Sequence, residues 1–371
     1  MRKLPKAALE HWMREFYFDT PIDLGSSGVY TYSFRDLRKL AGVSDTDLDN
    51  IVFDDSPTRG CLALRQAIAD QFGDGDPDRV MTANGSNEVL YHIMSSCLSP
   101  GDEVIVLDPC YHALCTVAES LGCNIRRWHL DPSAGFKPRF EDLNALIGRD
   151  TKMVVVNFPH NPTGASITAE QQQSLLDIVS AVGAYLVWDA AFNDLIEDGP
   201  LPNPALNYEK AISVGTLSKC YGLPGLRLGW CFAPPEVIRR AVELRDYTTL
   251  YVSPLVEAIG AKVIVTAPTL AAERRRVALS NRSILDSWLK ENADNFKWPE
   301  TFGGVTCFAS LKGIEDTERF CRSLAKEHGV MLVPGLCFGH PDLIRLGFGC
   351  TEAELVAGLH RISAHMAEAY L

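Results

Sequence analysis

The stretch Gly215–Trp230, GTLSKCYGLPGLRLGW, decides the fold. Small and hydroxyl residues, among them Thr216 and Ser218, lead into a single lysine, Lys219. Glycines and a proline follow, then one arginine, Arg227. The preceding run, Ala211 to Val214, is short, apolar and β-prone, which predicts Lys219 just past the end of a strand. Glycines let the backbone approach a bound group closely. A lysine held there, beside an arginine suited to a dianion, fits an aldehyde cofactor that carries a phosphate. Pyridoxal phosphate is that cofactor, and its ring nitrogen then needs an acidic partner elsewhere in the chain. Taken alone, a Ser-Lys pair is also met by a surface lysine beside a Gly-rich turn.

The rest of the composition is compatible with an enzyme of small molecules. The 371 residues are 46% hydrophobic and 22% charged, enough for two or three domains with ample core. A net charge of −12, with lysine and arginine scattered, argues against nucleic acid or an anionic membrane as partner. No segment of the sequence reads as a membrane span. The N-terminus, MRKLPKAALEHW, starts basic but lacks an apolar core, so no secretory signal is expected. The 11 cysteines sit mostly in apolar runs, and Cys110 and Cys115 lack a second pair at metal-like spacing. Buried thiols in a reducing cytoplasm, with no metal site, are expected.

Leu9, Trp12, Met13 and Phe16 recur at helical spacing, predicting a short amphipathic helix up to about Phe18. DLGSSGVYTYSF, Asp23 to Phe34, reads as a loop outside the core, and Thr58 to Phe72 as a helix. An α/β rhythm follows: strands at Val80–Ala83, Glu103–Leu107, Met153–Phe158 and Tyr185–Trp188, helices at Gly85–Cys97, Tyr111–Leu121 and Ala169–Val182. Such alternation predicts a mostly parallel sheet covered on both faces, with ligands beyond the carboxyl ends of its strands. After Trp230 come helices at Pro235–Asp246 and from Pro254 past Leu289, then a hairpin at Gly304–Leu311. A helix at Glu315–His328, a strand at Val330–Val333 and a closing helix from Thr351 complete an α+β pattern. The expected organisation is an N-terminal arm over residues 1–34, a large domain over 35–248 and a small one over 249–371.

Several short motifs could carry chemistry. ANGSNEVLYHI puts Gly85 and Ser86 at a helix start, where free N–H groups and the helix dipole favour an anion, although a plain N-cap serine fits as well. Tyr111 in DPCYHAL could stack on a flat ring or fill the core. Asp189 ends the apolar strand YLVWD, where a carboxylate is costly unless paired. Its partner is either a protonated ring nitrogen or a structural cation. Arg345 in LIRLGFG has the fork that binds a carboxylate bidentately, and a structural ion pair is the alternative. Asp54 and Asp55 in FDDSPTRG either face a cationic substrate or form a solvated loop pair.

Ser218-Lys219 followed by Gly222-Leu223-x-Gly225-x-Arg227-x-Gly229 resembles the lysine signature of the fold type I aminotransferase superfamily, class I/II. The resemblance extends to NFPHNPTGA and covers nearly the whole chain. It implies an α/β large domain with a smaller α+β C-terminal domain, pyridoxal phosphate as cofactor, an amino acid as substrate and a homodimer. It implies that Lys219 is catalytic and that Gly85, Ser86, Asn87, Tyr111, Asn161, Asp189, Thr216, Ser218 and Arg227 hold the cofactor. Arg345 then takes the substrate α-carboxylate. Phe192 departs from the pattern, because many relatives carry a tyrosine there. A tyrosine common before Gly60 is also missing, with Asp54, Asp55 and Ser56 in that loop instead. LEHWMREFYF and SSGVYTYSF look like the start of capreomycidine synthase-like cyclases of hydroxylated arginine. That resemblance implies loss of a β-hydroxyl and attack by the guanidine. Asp54 and Asp55 are compatible with a guanidinium substrate, and with Ser27 and Gly28 they are the expected substrate contacts. A plain aminotransferase, and a non-enzymatic sensor on the same fold, remain as alternatives. The short N-terminal arm and acidic balance speak against a DNA-binding regulator.

Overall fold

The computed structural model describes residues 5–299 and 303–369. Thirteen strands are present among them: β1 (Ile22–Asp23), β2 (Val80–Ala83), β3 (Glu103–Asp108), β4 (Asn124–His129), β5 (Thr151–Asn157), β6 (Tyr185–Asp189), β7 (Ala211–Thr216), β8 (Gly229–Phe232), β9 (Phe296–Lys297), β10 (Thr306–Leu311), β11 (Val330–Met331), β12 (Val333–Pro334) and β13 (Leu343–Gly347). Seven form one sheet in the order β2-β8-β7-β6-β5-β3-β4, in which only β8 runs antiparallel. Its central strands are buried on both faces, as their continuous apolar runs require. The strand order reverses between β3 and β5, so β5, β6 and β7 deliver their carboxyl ends to one crevice. Direct pairing of Asn157 with Asp189 sets two polar side chains at that edge.

The helices obey local signals. Ala169–Val182 opens on a Thr168/Gln171 capping box and closes on left-handed Gly183. The 38-residue helix Pro254–Glu291 is a correction to the sequence reading, because by length and composition it is apolar enough to cross a membrane. It is a core helix: Ile259, Val263, Ile264, Ala267 and Leu270 are buried, and it packs on the Leu62–Phe72 helix. A second sheet, β12-β13-β10-β9, is antiparallel throughout.

Other expectations shift in detail. Gly304–Leu311 is not a hairpin but one inner strand, β10, flanked by β13 and β9. Val330–Val333 divides into β11 and β12, which serve different sheets. Tyr111–Leu121 is a 3-10 turn, His112–Leu114, and then a helix, Thr116–Leu121. β4 is a strand the sequence does not signal, since edge position leaves it mostly part-exposed and rich in arginine.

The largest correction is the segment after the first helix. Residues 24–30 are irregular, as expected, but Leu24, Ser27 and Val29 are buried. The arm folds back over the C-terminal sheet: Trp12 Nε1 donates to Leu332 O at 2.8 Å, β1 pairs with β11, and Gly347 N–H donates to Leu24 O at 2.8 Å. Two glycines permit this contact. A Cβ at Gly347 would lie 2.0 Å from Ser26 O, and one at Gly349 would lie 2.1 Å from Gly28 O. Gly347→Ala should therefore push the arm off β13 and destabilise the protein by about 1–3 kcal/mol. Urea unfolding and faster hydrogen exchange over residues 24–30 would register it, and unchanged exchange there would refute the contact's importance.

Candidate active site

A cavity of about 680 Å³ lies beyond the carboxyl ends of β5, β6 and β7, walled on one side by the arm. Lys219 follows β7 and enters it, with Nζ donating to Ser27 Oγ at 3.1 Å. Burial first, and the Arg345 cation second, push the Lys219 amine down to about 8, while Glu10, Asp189 and Asp23 pull it up. A large neutral fraction near physiological pH is what a nucleophile and proton acceptor needs.

Asp189 closes β6 at 6% exposure. Its Oδ1 accepts the Ala191 N–H at 3.0 Å, and Asn157 Nδ2 donates to its carbonyl at 3.0 Å. Burial raises the carboxyl to about 6, against the pull of that N–H and of Lys219. A carboxylate so poorly compensated fits a cationic ring nitrogen as partner.

Arg345 projects from β13 and is 1% exposed. Nε and Nη2 donate to Gly25 O at 3.1 and 2.7 Å, and Nη1 donates to Asn161 Oδ1 at 2.9 Å. Two of five N–H donors are left for a carboxylate. Burial lowers its pKa to about 10, so it stays cationic at neutral pH. Asn161 is held by its N–H on Asn157 Oδ1 at 2.9 Å, and with its own Oδ1 occupied it offers the amide NH₂ to an acceptor.

At the other end, Gly85 has φ +92° and opens the Ser86–Cys97 helix. A Cβ on Gly229 would lie 2.5 Å from Gly85 C and Ser86 N, so this cradle exists only because both sites lack side chains. Arg227, itself left-handed at φ +53°, lays Nη2 over Gly85 and donates to Asn84 O at 3.4 Å. Thr216 Oγ1 donates to Ser218 Oγ at 3.0 Å and accepts the Ser218 N–H at 3.2 Å. Ser86, Asn87 and Ser218 line the cavity; Gly85, Thr216 and Arg227 do not, but Thr216 bonds to Ser218 and Arg227 lies against Gly85, which precedes Ser86. A helix N-terminus, two hydroxyls and a guanidinium fit the phosphate of pyridoxal phosphate. Tyr111 lines the same wall, accepting from Asn87 Nδ2 at 2.9 Å and donating to Glu10 Oε1 at 3.1 Å. Phe192 also reaches the cavity and brings no hydroxyl.

Ser27 and Gly28 line the cavity as expected. Asp54 and Asp55 do not: both are exposed, and Asp55 accepts the Tyr251 hydroxyl. Glu10, Asp23 and Asn157 were missed. Glu10 lies on the predicted amphipathic helix, whose apolar periodicity marks a buried face but gives no sign of a cavity beside it.

Uptake of pyridoxal phosphate by the apoprotein, followed by visible absorbance, should speed up from pH 6 to about 8 and then level off. An ordinary lysine would keep gaining towards pH 10.5. Lys219→Ala should lose the visible band. Arg227→Ala should weaken cofactor retention, whereas Arg345→Ala should keep the cofactor and lower kcat/KM by about 2–3 kcal/mol. Equal effects of the two arginine changes on cofactor binding would refute this division.

The model of the family "Aminotransferase class I and II" matches residues 44–362. Capreomycidine synthase of Streptomyces vinaceus is 42% identical over 366 residues, covering 98% of this chain and 94% of that protein. The crystal structure of the PLP-dependent cyclase OrfR in complex with Au matches with a TM-score of 0.94 at 35% identity, covering 100% of this chain and 99% of that one. A PLP-dependent aminotransferase from Streptococcus suis 89-1591 matches with a TM-score of 0.93 at 29% identity, covering 99% and 98%. The cofactor is pyridoxal phosphate. The chain belongs to the aminotransferase class I and II family and has the fold type I architecture of pyridoxal phosphate-dependent transferases.

Proposed function

We propose that this protein is a pyridoxal phosphate-dependent cyclase of a hydroxylated L-arginine, expelling the β-hydroxyl and closing a ring through the guanidine, in antibiotic biosynthesis. One observation carries the reading. The likeness to capreomycidine synthase spans 98% of the chain and so takes in the arm, which lies outside the family match at residues 44–362 yet forms a wall of the cavity.

Bound pyridoxal phosphate supplies an electron sink that acidifies the substrate's Cα–H. The chain supplies the rest. Arg345 takes the α-carboxylate with its two remaining donors, Asn161 steadies that guanidinium, and Asp189 would pair with the protonated ring nitrogen of the cofactor. Lys219, whose amine is lowered to about 8, accepts the α-proton in its neutral form, and Ser27 holds that amine. The similarity to the Streptococcus suis aminotransferase supports a second reading, plain transamination, which the same five residues also serve.

The working form is a homodimer in the cytoplasm. Phe53 and Tyr247 are 77% and 89% exposed, and large apolar side chains left in solvent suit burial against a second copy. All eleven cysteines are free, as in a reducing compartment.

Hydroxyarginine should give a product lighter by one water, detected by mass spectrometry, with no keto acid required. Plain arginine should exchange its α-proton with deuterated solvent but form no ring. Stoichiometric consumption of arginine with a keto acid, and no turnover of the hydroxylated substrate, would establish the transaminase instead. Light scattering should return the mass of two chains, and an active monomer would refute the dimer.

A further inference from the structure

Among the described residues, four carboxylates line the cavity: Glu10, Asp23, Asp189 and Glu354. Three have other duties. Asp189 lies at the end of β6 against the Ala191 N–H. Asp23 Oδ1 accepts the N–H groups of Gly25 and Ser26, both at 2.8 Å, shaping the turn that aims Gly25 O at Arg345. Glu354 Oε2 accepts the Thr351 N–H at 3.0 Å and hydroxyl at 2.6 Å, capping the Glu352–Ala369 helix.

Glu10 differs. On the Ala8–Phe16 helix, Leu9, Trp12 and Phe16 pack inward, and Glu10, Met13 and Arg14 form the adjacent stripe along the cavity. The Glu10 carboxylate is half-buried, and no ion pair engages it among the described residues. Its one hydrogen-bond partner there is the Tyr111 hydroxyl, 3.1 Å from Oε1. Burial and the Glu10 charge push the phenol up, so Tyr111 keeps its proton and remains the donor. Oε2 and the second lone pair of Oε1 stay open, which is the pair of acceptors a guanidinium fork needs. Glu10 also raises the proton affinity of both Lys219 and Arg345, so it shares the space in which a substrate's amine and carboxylate would be held. Arg14, exposed and one turn further along, is the nearest cation on that helix face.

We infer that Glu10, oriented by Tyr111, is the specificity-determining residue that receives the guanidinium of the substrate. The assignment rests on the arginine reading proposed above, and it replaces Asp54 and Asp55, which lie outside the cavity. An amino acid with amine and carboxylate fixed at Lys219 and Arg345 then presents its far end to the arm.

The test is calorimetric titration of the holoenzyme with L-arginine and with L-citrulline, which replaces the guanidinium by a neutral urea of similar shape. Wild-type enzyme should prefer arginine. Glu10→Gln should weaken arginine on the order of 10- to 100-fold, leave citrulline within about twofold and keep the visible cofactor band. Glu10→Asp keeps the charge one methylene short and should weaken arginine by less, again with citrulline unchanged. It decides the question if the glutamine variant does not hold cofactor, because equal affinity for arginine in Glu10→Asp and wild type overturns the assignment. Wild-type preference that survives Glu10→Gln also overturns it, as does preference lost only in an Asp54→Asn/Asp55→Asn double variant. Wild-type enzyme that binds both ligands equally overturns the arginine reading itself.

Discussion

Two cations, a part-buried Lys219 and a fully buried Arg345, share one cavity, and much of the surrounding structure exists to make that tolerable. Burial lowers the proton affinity of both, and the Arg345 charge lowers that of Lys219 further. Arg345 meets the cost with three hydrogen bonds, two to one carbonyl of the arm and one to Asn161. Lys219 has a single hydroxyl, and its amine is displaced to about 8. The asymmetry suits the duties proposed for them: an arginine that holds an anion must stay charged, and a lysine that accepts a proton must be able to give up its own.

The second constraint is backbone proximity. Gly229 lets β8 lie against the Gly85–Ser86 peptide, and Gly347 and Gly349 let the arm lie on β13 and the residues after it. One contact builds the anion cradle, and the other places Gly25 O where Arg345 needs an acceptor. Glycines 118 positions apart or more thus shape opposite walls of one cavity, through the same steric rule.

That rule explains which features the sequence made legible. Lys219, Asp189, Asn161, Arg227 and Arg345 each sit in a short motif whose local chemistry is distinctive, and the fold gathers them around one crevice or its cradle. The inner strands read correctly because both faces are buried, whereas β4 at the sheet edge did not. The arm was the least legible part. Its Gly- and Ser-rich run has the composition of a loop, and its burial depends on β11 and β13, some 300 residues downstream. Asp54 and Asp55 were conspicuous because they are adjacent, yet an exposed loop is where adjacent carboxylates cost least. Glu10, a single acid on an unremarkable amphipathic helix, gave no local signal.

The charge balance of the cavity gives the arm a role beyond shape. Lys219 and Arg345 face Asp189, Asp23 and Glu10, with Arg227 and the Ser86–Cys97 helix N-terminus set apart behind the phosphate cradle. A bound amino acid with a neutral side chain would satisfy Arg345 through its carboxylate and leave Glu10 held only by Tyr111. A substrate with one more positive charge completes the balance, because its carboxylate and its cation meet opposite partners in the same enclosed space. In water that pairing is worth little, but between the arm and the sheet the partners are shielded from solvent and their attraction grows. Docking of the arm through Trp12, β1 and Gly347 therefore acts on electrostatics as well as on packing. It brings the acid and walls the cavity in a single structural element.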